Sequence, residues 1–191
     1  MAASLSQITR KRLNEKESIK AVQKAMEMDD RSCAIIYCAM LEHGLERLLI
    51  SKMICLSSDA QNRLFFGSGP LAGFSAKIKI AQAFGIIGPR CVHDLSTFND
   101  IRNVFAHSAH SVTFRNRKLK ERMAGFHMWG TVSMMARAIP NLEDSAPWEK
   151  KFFPTLRGRF SMVANTYTLS FTYAASKSRR NRQSALILLR S

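Results

Sequence analysis

The chain has 191 residues, of which 46% are hydrophobic and 23% charged, proportions that indicate one folded domain and exclude a wholly disordered chain. Glycine (9) and proline (5) are scarce, and methionine (10) and phenylalanine (12) are plentiful, which disfavours a turn-rich β-sandwich and favours packed helices. Lysine and arginine total 29 against 14 acidic residues, a net charge of +15. No stretch approaches the roughly 18 uninterrupted apolar residues of a membrane span, and the N-terminus lacks a secretory signal, so we expect a cytoplasmic protein.

The first predicted elements are an arm and two helices. Residues 1–13 are predicted to be a mobile basic arm, and a helical pattern begins at Asn14. The strongest helical pattern spans 31–56, where one face stays apolar for four turns, as in a core-facing helix. Glu42 lies at the edge of this apolar stripe, and Glu46 lies further round the helix.

The rest of the chain continues the helical pattern. One short helical turn is expected around 59–64, followed by helices over about 73–85, 89–108, 117–124 and 156–176. The segment SVTFRNRK (111–118) suggests a brief extended piece, MWGTVSMMARAIP (128–140) is ambiguous, and 141–153 suggests an irregular loop. The fold class is therefore all-α: a single-domain helical bundle over 14–176, followed by a polybasic tail over 177–191.

Positive charge is concentrated in the second part of the chain. Residues 1–111 carry a net charge of +4, whereas residues 112–191 carry +11. Such a surface attracts nucleic acid non-specifically through counterion release, although it is also compatible with a basic surface that only keeps the protein soluble. The candidate contacts lie in the tail and are Lys177, Arg179, Arg180 and Arg182.

The cysteines and histidines do not form a metal motif in the sequence. The four cysteines are scattered in apolar surroundings and are predicted to be buried thiols in a reducing compartment: Cys33, Cys38, Cys55 and Cys91. His107 and His110 are three residues apart, but no carboxylate or cysteine at matching spacing completes a ligand set. We therefore predict no metal site and no cofactor.

Two motifs carry a family resemblance. The segment GSGPLAGFSAKIKIAQAFGII (67–87), followed after a spacer by FNDIRNVFAHS (98–108), resembles the signature of the mannitol operon repressor family. The later segment FPTLRGRFSMVANTYTL follows in the same order. The resemblance extends over about 14–177 and implies a compact helical domain without a recognised DNA-reading module. It further implies a transcriptional regulator, a repressor that acts through protein partners.

A second resemblance is local and suggests another class of function. The Arg102–Asn103 pair followed by His107 resembles the Arg–four residues–His motif of HEPN domains, many of which are metal-independent ribonucleases. The resemblance implies that Arg102 would stabilise the scissile phosphate, Asn103 would orient it, and His107 would act as acid or base. The chemistry fits these residue types, because a guanidinium matches phosphate geometry and imidazole titrates near neutral pH.

The helical periodicity favours a structural role for Arg102. At about 100° per residue, Arg102 falls on the apolar stripe of Leu95 and Phe98, while His107 lies about 140° away. A guanidinium on a core-facing stripe needs a carboxylate, so we predict an ion pair with Glu42 or, second, Glu46.

The leading functional hypothesis is therefore a non-enzymatic regulator that works through protein contacts, and the alternative is a HEPN-type ribonuclease. Both classes favour association of protomers, so we also expect a homodimer.

Overall fold

The computed structural model describes residues 24, 27–53, 55–138 and 155–188, with side chains for all of them except 135–138 and 179–188. In these ranges the chain forms seven α-helices and no strand: α1 (Asp30–Lys52), α2 (Ser58–Phe65), α3 (Phe74–Ala83), α4 (Pro89–His107), α5 (Arg117–Ala124), α6 (Met128–Ala138) and α7 (Leu156–Leu188). The predicted all-α class is confirmed. Across the described residues, no helix is both long and apolar enough to cross a membrane.

Most predicted helices have the expected bounds, but several segments differ from the prediction. The ambiguous segment from residue 128 forms a helix, and the first core helix ends at Lys52 rather than Leu56. The extended piece expected at 111–118 is wrong, since that segment is a turn leading into α5. The predicted arm over 1–13, the helix start at Asn14 and the loop over 141–153 lie outside the described residues.

The last helix is longer than predicted. α7 continues from Leu156 to Leu188 without interruption, so it passes through the boundary expected between the bundle and the tail at residue 177. From residue 159 to 188 the sequence contains neither glycine nor proline, the two residues that most strongly interrupt helices. Lys177, Arg179, Arg180 and Arg182 of the predicted tail therefore belong to the same helix as the core residues before them.

The bundle is built around α1 and α7, which make its most extensive helix–helix contact. The thiol of Cys33 lies 3.7 Å from the Ser161 hydroxyl, and the Ser178 hydroxyl donates to the Ser51 carbonyl at 3.1 Å. Positions therefore advance together along both helices, which means that α1 and α7 run parallel. Helix α4 runs the opposite way beside α1, because the Cys38 thiol lies 3.4 Å from the Phe98 carbonyl while Arg31, earlier on α1, reaches the carbonyl of Ser108 at the carboxyl end of α4.

The start of α1 is tied to the ends of the helices beside it. The Arg31 guanidinium donates to the carbonyl of Ser108 at 2.6 Å, at the carboxyl end of α4. Asp30 accepts a hydrogen bond from the Phe114 backbone N–H at 2.9 Å and forms an ion pair with Arg157 at 3.3 Å. The segment between α4 and α5 has no regular secondary structure, and these contacts hold it against the bundle.

Aromatic rings fill the centre of the bundle. Phe98 lies 4.7 Å from the ring centroids of both Phe126 and Phe160, and Phe114 lies 5.0 Å from those of Phe105 and Phe160. Paired rings at these separations add stabilisation beyond the area that they bury. Helices α1, α3, α4 and α7 all contribute residues to this core, and the segment from Phe114 to Phe126 closes it.

A buried carboxylate fixes the position of α6. Asp94 of α4 is fully buried and accepts hydrogen bonds from the backbone N–H groups of His127 and Met128, both at 2.9 Å. The Tyr167 hydroxyl of α7 donates to the same carboxylate at 2.9 Å. The free N–H groups at the start of α6 are thus satisfied by a charge on another helix, which also suits the helix dipole.

Candidate functional site

A buried ammonium group joins α3 to α1. The Nζ atom of Lys77 lies 2.8 Å from Glu42 and 2.9 Å from Glu46, two carboxylates one turn apart on α1. The three side chains are largely buried, with 4% of Lys77, 19% of Glu42 and 10% of Glu46 exposed. Two carboxylates share one cation, so the cluster retains a formal charge of −1.

The cluster lies at the wall of a cleft of about 560 Å³ bounded by α1, α2 and the start of α3. Its lining mixes the cluster with apolar groups such as Ile50 and Phe65 and polar groups such as Gln61 and Asn62. The ammonium group of Lys77 engages both glutamates, so the charged groups of this part of the wall contact one another.

The predicted ion pair of Arg102 with these glutamates does not form. The cation that contacts Glu42 and Glu46 is Lys77 on α3 rather than Arg102. Among the described residues, Arg102 makes no ion pair within 4.0 Å; its guanidinium is half-buried and lies close enough to Cys38 to act on its thiol. The reason is the packing of the helices: α3 places Lys77 against the two carboxylates, whereas Arg102 lies on α4, where its charge acts on Cys38.

The structure shows where the other residues of the HEPN-like motif lie. Asn103 and His107 are exposed, whereas Arg102 is half-buried. Helix α4 continues as far as His107, so the helical step of five residues keeps Arg102 and His107 on different sides of one helix. A single chain therefore does not bring the two groups together, and the ribonuclease hypothesis stays a prediction.

The predicted nucleic-acid contacts all fall on α7. Lys177 is exposed, and the side chains of Arg179, Arg180 and Arg182 lie outside the part of the chain whose side chains are described. A further set of exposed basic residues lies at and near α5: Arg115, Arg117, Lys118, Lys120 and Arg122. Two of these arginines form surface ion pairs, Arg117 with Glu121 and Arg122 with Asp100.

The prediction that all four cysteines are buried is wrong for Cys55, which is exposed, and Cys91 is only partly buried. Cys33 and Cys38 are buried in α1. Burial raises the pKa of the Cys38 thiol far above its usual range, although the charge of Arg102 opposes this shift. Burial likewise raises the pKa of the Cys33 thiol.

These differences predict selective alkylation. Iodoacetamide reacts with thiolates, so we expect rapid modification of Cys55 in the native protein, while Cys33 and Cys38 stay unmodified until the chain unfolds. Peptide mass spectrometry at successive times measures this, and the urea-unfolded protein, in which every cysteine should react, is the control. Modification of native Cys38 at the rate of Cys55 would contradict the structure.

Sequence reasoning missed both Lys77 and Asp94. Lys77 lies three residues after Phe74 and next to Ile78, on the apolar face of α3, and all three are buried. Asp94 precedes Phe98 by four residues on the apolar face of α4. The available signal was a charged residue at a core-facing position, the same signal that drew attention to Arg102.

The fold defines the chain as an all-α helical-bundle protein, and comparison with known proteins gives its family. The model of the mannitol repressor family, MtlR, matches residues 58–177, which is more than half of the chain. The chain therefore belongs to the mannitol repressor family, and the resemblance inferred from its motifs is confirmed. The match begins at α2, so α1 lies before the matched segment.

The fold is similar to that of a solved structure, YggD, and a weaker likeness is found to a second one. YggD from Shigella flexneri, a possible transcriptional regulator, is 19% identical, with a TM-score of 0.53 over 87% of this chain and 99% of that chain. MtlR in the MtlR–HPr complex from Escherichia coli is 18% identical, with a TM-score of 0.49 over 84% of this chain and 99% of that chain. No curated protein matches the chain.

Proposed function

We propose that this chain regulates transcription as a member of the mannitol repressor family and that it acts by binding another protein. The observation that carries the proposal is the family match over 58–177, which includes the cleft residue Lys77, the buried Asp94 and most of α7. The fold shared with YggD, a possible transcriptional regulator, is consistent with the regulatory role.

The strongest candidate contact surface is one face of α7. Leu169 and Tyr173 are large apolar side chains one turn apart on this helix, and they are 70% and 66% exposed. Exposed apolar groups arranged together, rather than scattered singly, are typical of interaction sites. Tyrosine is also enriched where interfaces bury an apolar ring while keeping a polar tip wet.

The charge beside this face indicates the kind of partner. Lys177 is exposed one turn beyond Tyr173, so the face presents two apolar groups followed by a cation. The whole chain carries a net charge of +15, which opposes close contact between like-charged surfaces of two copies. We therefore propose a protein partner that presents an apolar patch flanked by carboxylates, and we treat the expected homodimer as a separate outcome of the test.

The test compares the wild type with the double variant Leu169→Ser/Tyr173→Ser. The matched control is Phe84→Ser, which removes an equally exposed apolar ring, 69% exposed, from the end of α3. Each full-length protein is purified with its bound partners from the cells that produce it, with and without nuclease, and transcripts are measured in the same cells. We expect a partner protein that stays bound after nuclease treatment and that copurifies with the Phe84→Ser control but not with the double variant. Transcript levels in cells with the control should match those with the wild type, whereas the double variant should no longer regulate them.

Other results would contradict the proposal. Retention of the partner by the double variant would exclude this face as the contact surface. Transcript levels that are the same in cells with and without this protein would exclude a role in regulation. Partners lost on nuclease treatment would instead support non-specific nucleic-acid contact through residues 112–191. Light scattering that shows a dimer of the wild type, reduced to monomer in the double variant, would make a second copy the occupant of this face.

A further inference from the structure

Two histidines and the buried Asp94 meet at the junction of α4 and the start of α6. His93 directly precedes Asp94 on α4, and its Nδ1 lies 3.3 Å from the Asp94 Oδ1 atom. His127 stands just before α6, with its ring centroid 4.9 Å from that of His93. One donor atom from each of the three residues lies within 4.8 Å of the other two.

We propose that His93, Asp94 and His127 bind a divalent transition-metal ion, with zinc(II) as the best-fitting member of that class. Two imidazoles and one carboxylate are a donor set that zinc accepts in tetrahedral sites, with a fourth position for water. Two ligands about 2.1 Å from a tetrahedral ion lie about 3.4 Å apart, close to the separation already present between His93 and Asp94. The longer separations close by rotation of the exposed His93 and His127 side chains.

The surroundings of the three residues suit such a site. Asp94 is fixed by the backbone N–H groups of His127 and Met128 and by the Tyr167 hydroxyl, so its oxygens are held in place before any ion arrives. Ligands oriented in this way by outer partners bind metal more tightly than mobile ones. The carboxylate is buried on the protein side, whereas 48% of the His93 side chain is exposed, which leaves an approach for the ion from solvent.

Bound metal would join α4 directly to the segment that leads into α6. Gly125 lies within this segment, and a Cβ atom placed there would be 3.3 Å from Cε1 of His93, so the backbone already approaches the imidazole closely. The ion would add a second link to the one that Asp94 makes through the backbone of His127. In the sequence, only His107 and His110 lie close enough together to suggest a pair of ligands, and nothing in the spacing places residue 127 beside residue 93.

The test is zinc titration by calorimetry of the tag-free, EDTA-treated full chain. Cys55→Ser serves as the background because an exposed thiol binds zinc independently. We expect one ion per chain, and we expect His93→Ala and His127→Ala each to weaken the affinity by at least the ~10–100-fold that loss of an outer partner alone costs. With cobalt(II) as a spectroscopic probe, the visible bands of a tetrahedral site should appear in the background protein and disappear in both variants.

His110→Ala is the matched control, since it removes another exposed histidine that lies outside the cluster. It should bind zinc and cobalt as the background protein does. The proposal is overturned by absence of zinc binding, by affinities unchanged in both His93→Ala and His127→Ala, or by an equal loss in His110→Ala. Neither ligand variant removes the Asp94 contacts to backbone and Tyr167, so circular dichroism should show both folded.

Discussion

Replacing Lys77 with methionine is expected to destabilise the fold by about 3 kcal/mol, the low end of the cost of breaking a buried ion pair, because Glu42 keeps some exposure. Methionine preserves most of the side-chain volume, so the effect isolates the charge. It leaves two carboxylates one turn apart on α1 without the cation that now lies 2.8 and 2.9 Å from them. Urea unfolding followed by circular dichroism measures the change as a lower midpoint at unchanged slope.

The matched control for this prediction is Arg102→Met, which removes the cation that the sequence had favoured. Arg102 is half-buried and has no ion pair within 4.0 Å in the described part of the chain, so we expect a loss below about 1 kcal/mol. Adding Glu42→Gln and Glu46→Gln to the Lys77→Met protein should recover part of its stability, because no uncompensated charge remains. A larger loss for Arg102→Met than for Lys77→Met would show that the assignment of the cation is wrong.

Replacing Asp94 with asparagine is expected to cost about 3 kcal/mol and to loosen α6 selectively. The carboxylate accepts from the N–H groups of His127 and Met128 through separate oxygens, whereas an amide offers only one acceptor and turns its NH₂ group towards a donor. Hydrogen bonds to a buried charge contribute about 1.5–3 kcal/mol each, and an orphaned donor adds its desolvation cost. Urea unfolding in EDTA gives the global loss, and hydrogen exchange at His127 and Met128 gives the local one.

Two further variants compare the contribution of Asp94 to the free energy of unfolding with those of its donor Tyr167 and of a surface acid on the same helix. Tyr167→Phe removes one of its donors and should cost about 1–2 kcal/mol. Asp100→Asn removes an acid of the same helix that pairs with Arg122 at the surface, where both side chains are at least half exposed, so it should change stability by less than about 1 kcal/mol. Equal effects of Asp94→Asn and Asp100→Asn would contradict the role of Asp94 in holding α6.

The comparison of Lys77 with Arg102 shows where prediction from sequence stopped. Both cations occupy core-facing positions of their helices, and both glutamates lie on the α1 side that meets other helices. Periodicity places residues on faces, but it does not state which helix covers which. The choice between two chemically equivalent partners depends on how α3 and α4 cross α1, which is set by long-range packing.

The segment from residue 128 shows a related limit. Its glycine, threonine and valine, at positions 130–132, are weak helix formers, which explains why the local pattern was ambiguous. The helix forms because Asp94 satisfies its first N–H groups and because Val132 is buried in the bundle. Both stabilising contacts come from residues distant in sequence, so no window of local sequence contains them.

The amino-acid sequence is sufficient to predict the all-α class, the positions of most helices and the excess of positive charge in the second part, and the resemblance of two of its motifs indicated the mannitol repressor family. The fold class, the helix positions and the charge excess depend on local residue spacing and composition, which short-range interactions determine. Three contacts could not be predicted in this way and depend on how the helices pack: Lys77 with Glu42 and Glu46, Asp94 with the start of α6, and His93 with His127. Each of these contacts joins residues from different parts of the chain. The cost of burying an unpaired charge favours an oppositely charged or hydrogen-bonding partner, but it acts only between groups that helix packing has already brought close together.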